Sequence, residues 1–437
     1  MIPKMSERTH PQDDFFKVKL TRFINLKHPL VRLSEVIDWS YFNESFGPLY
    51  VSSRGRPGLP TRLMAALTYL KYTYDLSDER LVEDFIRDPY IQYFCGYEFF
   101  QHQFPCDASS LTRWRKRVGE AGCEKLLSAT LQVGHELGLL KARDCQRVIV
   151  DTTVQEKAIA FPTDAKLVYT ARAKLVECAQ AHGIPLRQSY ARVDKALLAK
   201  QARYAHARQY RRARRALKKL KTHLGRVIRD IERKCPQPDE RLQEILMLSK
   251  RVHKQRTQTK NKLYSLHEPQ VACIAKGKRH KPYEFGSKVS ITTTAKKNWV
   301  LGTQSWLGNP FDGSTLKGAI EQTEAITGVQ VTEAFVDKGY RGKKHHPEHV
   351  HVYISGRKRL RPVWMKLLKR RSAIEPIIGH MKHDHRMLRN RLKGMIGDQM
   401  NPILAGCGFN LRKILNAIFL FLIYRFRIRS FLPIFDH

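Results

Sequence analysis

Acidic residues are scarce in this chain. Its 437 residues include 40 Asp and Glu against 79 Lys and Arg, which gives a formal net charge of +39. So large an excess of one sign is costly in self-repulsion unless the partner is a polyanion. Nucleic acid fits better than a membrane surface, because the basic residues are spread over the whole length. A hydrophobic content of 42% still indicates a folded protein, with a length that suits two or three domains.

Three other patterns are missing. The eight cysteines form no C-x-x-C pair and have no regular spacing, which argues against a zinc ribbon and a disulfide framework. No cationic start is followed by an apolar run and a cleavage site, so we expect no secretory signal and a cytoplasmic protein. The apolar run 414–424 is bounded by basic residues and is shorter than a membrane span, so it indicates a core or interface helix.

Residues 1–143 predict an all-helical domain. A helix should open at 57–60 and carry apolar residues at helical spacing from Leu63 to Tyr74. A second helix should begin at Ser77, which is followed by acidic residues that suit a helix N-terminus.

A third, short helix is expected after the capping segment 107–110. Its apolar residues should face inward, and its basic residues should face outward, namely Arg113, Arg115, Lys116 and Arg117. A short basic helix after two packed helices is typical of a DNA-reading element. A solvated cationic face is the alternative.

After Cys145 the hydrophobic period changes, and residues 144–430 predict an α/β domain. The β-branched run 148–150 indicates a buried strand that ends at Asp151, where a functional residue is expected. Glu156 and Asp164 are nearby acids that could take its role.

The segment 166–281 interrupts this domain with 31 Lys and Arg against 8 Asp and Glu. Apolar residues alternate spacings of three and four from Tyr210 to Ile231, and Cys235-Pro236 breaks the pattern before a weaker return segment. We therefore expect an inserted basic helical hairpin, with disorder as the alternative. The seam could serve either this hairpin or an interface between copies.

Strands return after the insertion. Residues 285–293 and 299–306 should pair across a polar turn, and a helix capped by Ser314 should end at Gly328. A strand at 331–336 then delivers Asp337, and a further strand and helix start are expected at 350–354 and Arg361-Pro362.

The last helix should carry a third acid, Glu375. Arg371, Glu375, Ile378 and Lys382 follow spacings of 4, 3 and 4, so they share one helical face. Pro376 implies that the helix either kinks here or restarts near Glu375. A solvated stripe of ion pairs is the ordinary explanation of such charges.

The three acids Asp151, Asp337 and Glu375 suit the chemistry of phosphodiester cleavage. That reaction needs a strong nucleophile and a cation at the leaving oxygen, and two divalent ions about 3.5 to 4 Å apart supply both. Hard cations such as Mg²⁺ prefer carboxylate oxygens. Four neighbouring cations suit phosphate contacts: Lys338, Arg341, Arg371 and Lys382.

Several motifs carry a family resemblance: Gly55-Arg56-Pro57, 151–157, 161–164, 336–342, and 374–382 followed by Gly397-Asp398. Through them the sequence resembles the DDE transposases of bacterial insertion sequences, in the group with an InsH-like N-terminal domain. The resemblance implies an RNase H-like catalytic domain with Asp151, Asp337 and Glu375 as its metal-binding triad. It also implies cut-and-paste movement of the element's DNA, with Mg²⁺, or alternatively Mn²⁺, as the cofactor.

One position departs from the family pattern. Related transposases carry a Tyr-x2-Arg-x3-Glu-x6-Lys signature, and here Leu368 stands at the tyrosine position while Arg371, Glu375 and Lys382 match. The departure concerns a phosphate contact of the tyrosine and leaves the role of the carboxylate intact.

The sequence leaves other functions open. A transposase-derived DNA-binding protein without catalysis would use only the basic segments, and an RNA-binding structural protein is favoured by charge alone. We expect double-stranded DNA as the partner, a homo-oligomer on paired ends, no membrane contact and a location at the bacterial nucleoid. A zinc cluster at His380, His383 and His385, and base stacking by Trp299 and Trp306, are weaker interpretations than polar surface and core packing.

Overall fold

The computed structural model describes residues 18–50, 58–256, 258–275, 281–356 and 361–430, with side chains up to 422. The chain divides into two compact units. The first is formed by the residues up to Glu156 and from Ser287 onward, and the second by Lys157–Gly286. The motif Gly55-Arg56-Pro57 lies outside the described residues. The predicted domain boundaries at 143 and around 166–281 stay predictions.

The described part of the N-terminal region is helical, as the sequence predicts. Ser77 caps the second predicted helix by accepting a hydrogen bond from the Arg80 amide at 3.0 Å. The helices before the first strand are α1 (Pro29–Val36), α2 (Trp39–Phe46), α3 (Thr61–Thr73), α4 (Asp78–Arg87), α5 (Pro89–Phe94), α6 (Ser109–Glu136) and α7 (Ala142–Cys145).

The predicted short basic helix after residue 110 is confirmed, and a second helical segment follows it directly. Within α6, Gly119 has a φ of 63° and a ψ of −165°, which are not helical, so the basic residues lie on a short segment before this kink. Glycine adopts the positive φ without a steric penalty. Beyond the kink, Leu126 and Leu127 are fully buried. Their burial in the core of the first unit explains why a second helical segment follows the kink.

Strand β1 (Arg147–Lys157) confirms the predicted strand but not its end. We expected the strand to finish at Asp151, whereas it continues for six more residues. The continuation includes Gln155, whose buried amide donates to the Asp398 carbonyl at 3.2 Å and accepts from Asn401 at 2.7 Å. These partners are distant in sequence, so the local pattern did not reveal the longer strand.

The second unit is a set of helices rather than one hairpin. It contains α8 (Asp164–Ala181), α9 (Ala191–His206), α10 (Tyr210–Lys234) and α11 (Glu240–Lys254), followed by β2 (Ala272–Ala275). Helices α10 and α11 are the two arms that the sequence predicts. The α10 seam packs against the other helices of the unit, with Leu220, Leu224 and Ile231 fully buried. This burial favours the predicted helical structure over the disordered alternative.

The sheet of the first unit is completed by strands after the insertion. Strand β3 (Tyr283–Thr294) pairs with β2 through its first four residues, and with β4 (Val300–Trp306) as the predicted antiparallel pair. Helix α12 (Asp312–Thr327) follows and ends at Gly328, which has a φ of 65°. Ser314 does not cap this helix: it lies inside the first turn and its hydroxyl donates to the Phe311 carbonyl.

Strand β5 (Glu333–Val336) delivers Asp337 at its end, as predicted, and pairs in parallel with β1 and with β6 (His351–Ile354). In the first unit the strand order is therefore β4-β3-β1-β5-β6. Strand β1 lies at the centre of this order, with β3 on one side and β5, which pairs with residues 147–149, on the other.

The predicted long C-terminal helix is broken before Glu375. Helix α13 (Pro362–Lys369) ends in a 3-10 turn at Arg370–Ala373, and α14 (Ile374–His383) starts with Glu375 as its second residue. Of the two outcomes that Pro376 allowed, the restart is the observed one. Strand β7 (Arg389–Asn390) then pairs with β1, and α15 (Gly394–Ser430) ends the described chain.

Helix α15 packs against α3, α6 and β4 in the core of the first unit. At Gly408 a Cβ atom would lie 2.5 Å from the Tyr72 carbonyl oxygen, so the close approach of α15 and α3 requires glycine. Within the described residues, α15 is the helix with the length and hydropathy of a membrane span. Its buried residues lie mostly before residue 416. Of the run 414–424, which was predicted to be a core or interface helix, Ile414 and Leu415 are buried, whereas Phe419, Leu420 and Phe421 are exposed, so core packing is confirmed only for the start of the run.

Candidate active site

Asp151 and Glu375 are joined through one arginine. The Asp151 carboxylate accepts a hydrogen bond from the Thr152 amide at 2.8 Å through Oδ1 and from Arg371 Nη1 at 3.3 Å through Oδ2. The other terminal nitrogen of Arg371 lies 3.7 Å from Glu375 Oε1. The guanidinium therefore connects the first and third predicted acids, which stand on β1 and α14.

Asp337 lies in the turn that follows β5. Its Oδ1 accepts a hydrogen bond from the Gly339 amide at 2.8 Å, which closes the 3-10 turn Lys338–Tyr340. A Cβ atom on Gly339 would lie 3.0 Å from Asp337 Oδ1 and 2.8 Å from Asp312 Oδ2. The glycine thus lets two carboxylates approach the same stretch of backbone.

Asp312 is an acid of this region that the sequence analysis missed. Its Oδ1 accepts from Thr152 Oγ1 at 2.8 Å and from the Lys288 ammonium at 2.8 Å, so it is tied to both β1 and β3. Lys288 also donates to the Pro310 carbonyl at 2.6 Å. Aspartate is common in the first turn of a helix, and nothing in the local sequence distinguishes Asp312 from such a residue.

The charges of these groups interact. Burial raises the pKa of Asp151 from 3.8 to about 6; the hydrogen bond from Thr152 and the charge of Arg371 oppose the rise, whereas Asp337 and Asp312 add to it. Burial also raises the pKa of Tyr340 well above its ordinary value, and the same three aspartates contribute. Asp151, Asp337 and Asp312 therefore lie close enough for their charges to interact.

Exposure differs among the predicted site residues. The Glu375 side chain is 65% exposed, whereas Asp151 and Arg371 are mostly covered, at 17% and 18%. Glu375 is therefore the acid of the three with the most freedom to reorient. Lys338 and Arg341 are exposed on the turn after Asp337, and Lys382 is half-buried on α14. Asp164, a competing acid, begins α8 of the second unit and is half-buried.

The prediction that Arg115 faces outward for DNA was wrong. Its guanidinium is buried and donates to both oxygens of Asp78, at 3.0 and 2.6 Å, while Lys71 donates to the same carboxylate at 2.6 Å. Arg115 thus fastens α6 to the start of α4. Arg113 and Lys116 are exposed on α6, as predicted.

The carboxylates near Asp151 offer oxygen donors that suit a divalent metal ion. In the ranges that the structure describes, no group of three His, Cys, Asp or Glu side chains is gathered as a ready metal cage. The histidines near Glu375 do not form a zinc cluster, since buried His385 bonds to the Tyr72 carbonyl and exposed His380 to Asp384. The carboxylates around Asp151 are the oxygen donors that hard divalent cations prefer, and Arg371 now supplies the positive charge between two of them.

Trp299 is fully buried in the core of the first unit, which confirms core packing over base stacking for this residue. Trp306 donates from its indole to the Ser290 hydroxyl at 2.9 Å. Neither tryptophan is therefore needed to explain the candidate site.

Comparison with known proteins gives two family matches. Residues 18–117 match the model described as a transposase domain (DUF772), and residues 335–415 match the transposase DDE domain. Asp337 and Glu375 lie inside the second match, whereas Asp151 lies outside both.

A relative from Rhizobium meliloti, described as uncharacterized protein ORF8 in the nfe locus, is 50% identical over 199 residues, or 46% of this chain and 96% of that protein. No solved structure matches. The two transposase matches, at the two ends of the first unit, agree with the motifs in the sequence: the chain belongs to the DDE transposases of insertion sequences.

Proposed function

We propose that this transposase binds the terminal inverted repeats of its element, cleaves the DNA at the element ends and joins the freed 3′-hydroxyl to target DNA. The observation that carries the proposal is the link from Asp151 through Arg371 to Glu375, with Asp337 and Asp312 in the same neighbourhood. These residues come from distant parts of the chain, and ion pairing along one helix does not explain their convergence.

Asp151, Asp337 and Glu375 would hold the divalent cation, Mg²⁺ or alternatively Mn²⁺. When bound, such an ion activates the attacking oxygen and neutralises charge on the leaving oxygen. Arg371 would then be released from the carboxylates and contact a DNA phosphate. Exposed Lys338 and Arg341 and half-buried Lys382 would also contact phosphates. Burial of Asp151 reduces competition from water for its oxygens.

The fold that we propose for the catalytic part is RNase H-like. The central position of β1, the β3–β4 antiparallel pair and the parallel strands β5 and β6 support this assignment. We assign residues 144–430 to this domain, with the basic segment 166–281 as its insertion, and 1–143 to DNA binding. In the N-terminal domain, exposed Arg113 and Lys116 are the proposed phosphate contacts.

Two copies are proposed to act together in the cytoplasm at the nucleoid, because pairing two element ends requires two active sites. The alternative is a DNA-binding protein without catalysis, which would not need acidic side chains close to one another. The convergence of the aspartates with Glu375 favours the catalytic protein.

Strand cleavage on a plasmid that carries the element with its native flanking DNA tests the proposal. Asp151→Asn, Asp337→Asn and Glu375→Gln should each reduce Mg²⁺-dependent cleavage by about 100-fold or more, while end binding stays within about threefold. Glu156→Gln is the matched control, since it alters another acid of β1, and it should keep cleavage. Full activity of a triad variant would show that the substituted residue does not belong to the catalytic site.

A further inference from the structure

The helical unit contains a concave pocket that the proposed reaction does not use. The pocket has a volume of about 360 Å³ and lies between the loop after α8 and one face of α10. Such a volume falls within the range of small-ligand sites and far exceeds the roughly 30 Å³ of one water. Its lining includes Arg187 and Tyr190 from the loop and Arg226, Arg229, Asp230 and Arg233 from the helix.

Asp230 is the acid in this lining, and its charge is already engaged. Its Oδ2 accepts from the Arg187 amide at 2.9 Å and from Lys234 at 3.3 Å, and its Oδ1 accepts from Arg233 at 3.0 Å. The carboxylate is buried and ties the loop to α10. It therefore has a structural role and leaves the other arginines of the pocket without a counter-charge.

Three arginines line the pocket without an acidic partner. Arg187, Arg226 and Arg229 are exposed, and among the described residues no carboxylate oxygen lies within 4 Å of any of their guanidinium nitrogens. Like charges around one concave surface repel each other unless an anion lies between them. The planar guanidinium matches the geometry of phosphate oxygens, which makes a phosphate group the best candidate for that anion.

Tyr190 forms an aromatic wall of the pocket, and its neighbours hold the ring in place. Its φ of 55° is left-handed, a costly conformation for a residue with a side chain and one that concentrates at functional sites. The ring stacks on His223 with centroids 4.2 Å apart, and His223 lies 2.6 Å from buried Asp194. Arg226 donates to the Tyr190 hydroxyl at 3.3 Å, so the wall and the cations belong to one surface.

Cationic side chains and an adjacent aromatic ring are the two components with which proteins follow a single nucleic-acid strand. We propose that this pocket binds the phosphodiester backbone of single-stranded DNA, with the phosphate on Arg187, Arg226 and Arg229 and the adjoining unpaired nucleoside against Tyr190. The choice of DNA rests on the proposed function. The pocket would give the insertion a defined contact in addition to its general positive charge.

Two variants with the same loss of charge test this. The pocket variant is Arg187→Gln/Arg226→Gln/Arg229→Gln, and the control is Arg211→Gln/Arg214→Gln/Arg215→Gln, which alters exposed arginines of the same helix outside the lining. The full chain is titrated with a labelled 40-base single-stranded DNA at several salt concentrations. Thermal unfolding verifies that each variant folds, and the single change Arg229→Gln replaces the triple variant if it does not.

We expect the pocket variant to bind DNA at least about tenfold more weakly, since three phosphate contacts are lost, and the control to lose less than about threefold. DNA carrying 5-iododeoxyuridine should also cross-link to Tyr190 in the wild type and not in the pocket variant. Equal losses in both triple variants, or no loss in either, would overturn the pocket. So would preference of the wild type for RNA of equal length.

Failure of this inference is distinguishable from failure of the proposed function. If the triad variants lose cleavage while the pocket variant binds like the wild type, the pocket is wrong and the catalytic assignment stands. If the pocket variant loses binding while the triad variants cleave normally, the pocket stands and the catalytic assignment is wrong.

Discussion

Arg371 Nη1 donates a hydrogen bond of 3.3 Å to the Asp151 carboxylate, although 220 residues separate the two in sequence. The contact joins the central strand of the first unit to the turn before α14. It places a fixed positive charge against a buried carboxylate whose neighbours include two further aspartates. In the proposed reaction a divalent cation would compete with this guanidinium for the same oxygens.

Replacing Arg371 should therefore strengthen metal binding and weaken the reaction. In Arg371→Gln the competing cation is removed, and we expect the affinity for Mn²⁺ to rise by about three- to tenfold, equivalent to roughly 1 kcal/mol of charge competition. Titration calorimetry with Mn²⁺ measures the affinity, and the plasmid assay should show reduced cleavage. Arg370→Gln, next in sequence and bonded to the Ala295 carbonyl, is the control. Weaker metal binding by Arg371→Gln would contradict the competition.

The ionised Asp151 carboxylate should destabilise the folded protein at neutral pH. The raised pKa of about 6 means that the folded protein binds an additional proton between its ordinary value of 3.8 and about 6, so stability falls as the pH rises through that interval. Without metal, Asp151→Asn should raise the free energy of unfolding at pH 7 by about 1 to 3 kcal/mol. Urea unfolding in EDTA at pH 7 and pH 3 measures this. The gain should largely disappear at pH 3, and an equal gain at both values would contradict the cause.

The Lys288–Asp312 ion pair offers a double-mutant cycle. Lys288 is buried, so Asp312→Asn leaves its ammonium poorly compensated, and we expect a loss of about 2 to 4 kcal/mol in unfolding free energy. Lys288→Met alone should also destabilise, because it leaves Asp312 beside the other aspartates. The double variant should lose less than the sum of the two by about 1 to 3 kcal/mol. Additive losses would show that the two residues are not coupled.

The basic residues of α6 should separate into two classes. Arg115→Ala breaks a buried pair with Asp78 and should destabilise the protein by about 2 to 4 kcal/mol, with little effect on DNA affinity of the folded fraction. Arg113→Ala/Lys116→Ala should leave stability unchanged and reduce the slope of log affinity against log salt by about 2. Unfolding curves and salt titrations measure the two effects. An unchanged slope would remove the α6 residues from the DNA interface.

The elements that the sequence predicted well are those with local signals. Ser77 caps α4, Gly328 ends α12 in a left-handed conformation, and the run 331–336 contains the strand that delivers Asp337. In each case a side chain or glycine acts within a few residues of itself. The break before Glu375 was also local, because Pro376 restricts the residue that precedes it.

The features that the sequence did not reveal depend on distant contacts. Arg115 is buried because Asp78, 37 residues earlier, lies opposite it, and β1 continues past Asp151 because Asn401 completes the hydrogen bonds of Gln155. Asp312 joins the candidate site through Thr152 and Lys288, neither of which is close to it in sequence. Hydrophobic periodicity contains no information on such pairs.

Iron-directed cleavage of the protein backbone tests the central claim most directly, because it locates a bound divalent ion without needing the element's DNA. With Fe²⁺ and ascorbate, an ion held by Asp151, Asp337 and Glu375 should cut the chain near all three residues, and excess Mg²⁺ or Asp151→Asn should suppress all three cuts together. Cuts near one of these residues alone, or three cuts that persist in Asp151→Asn, would contradict a shared metal site.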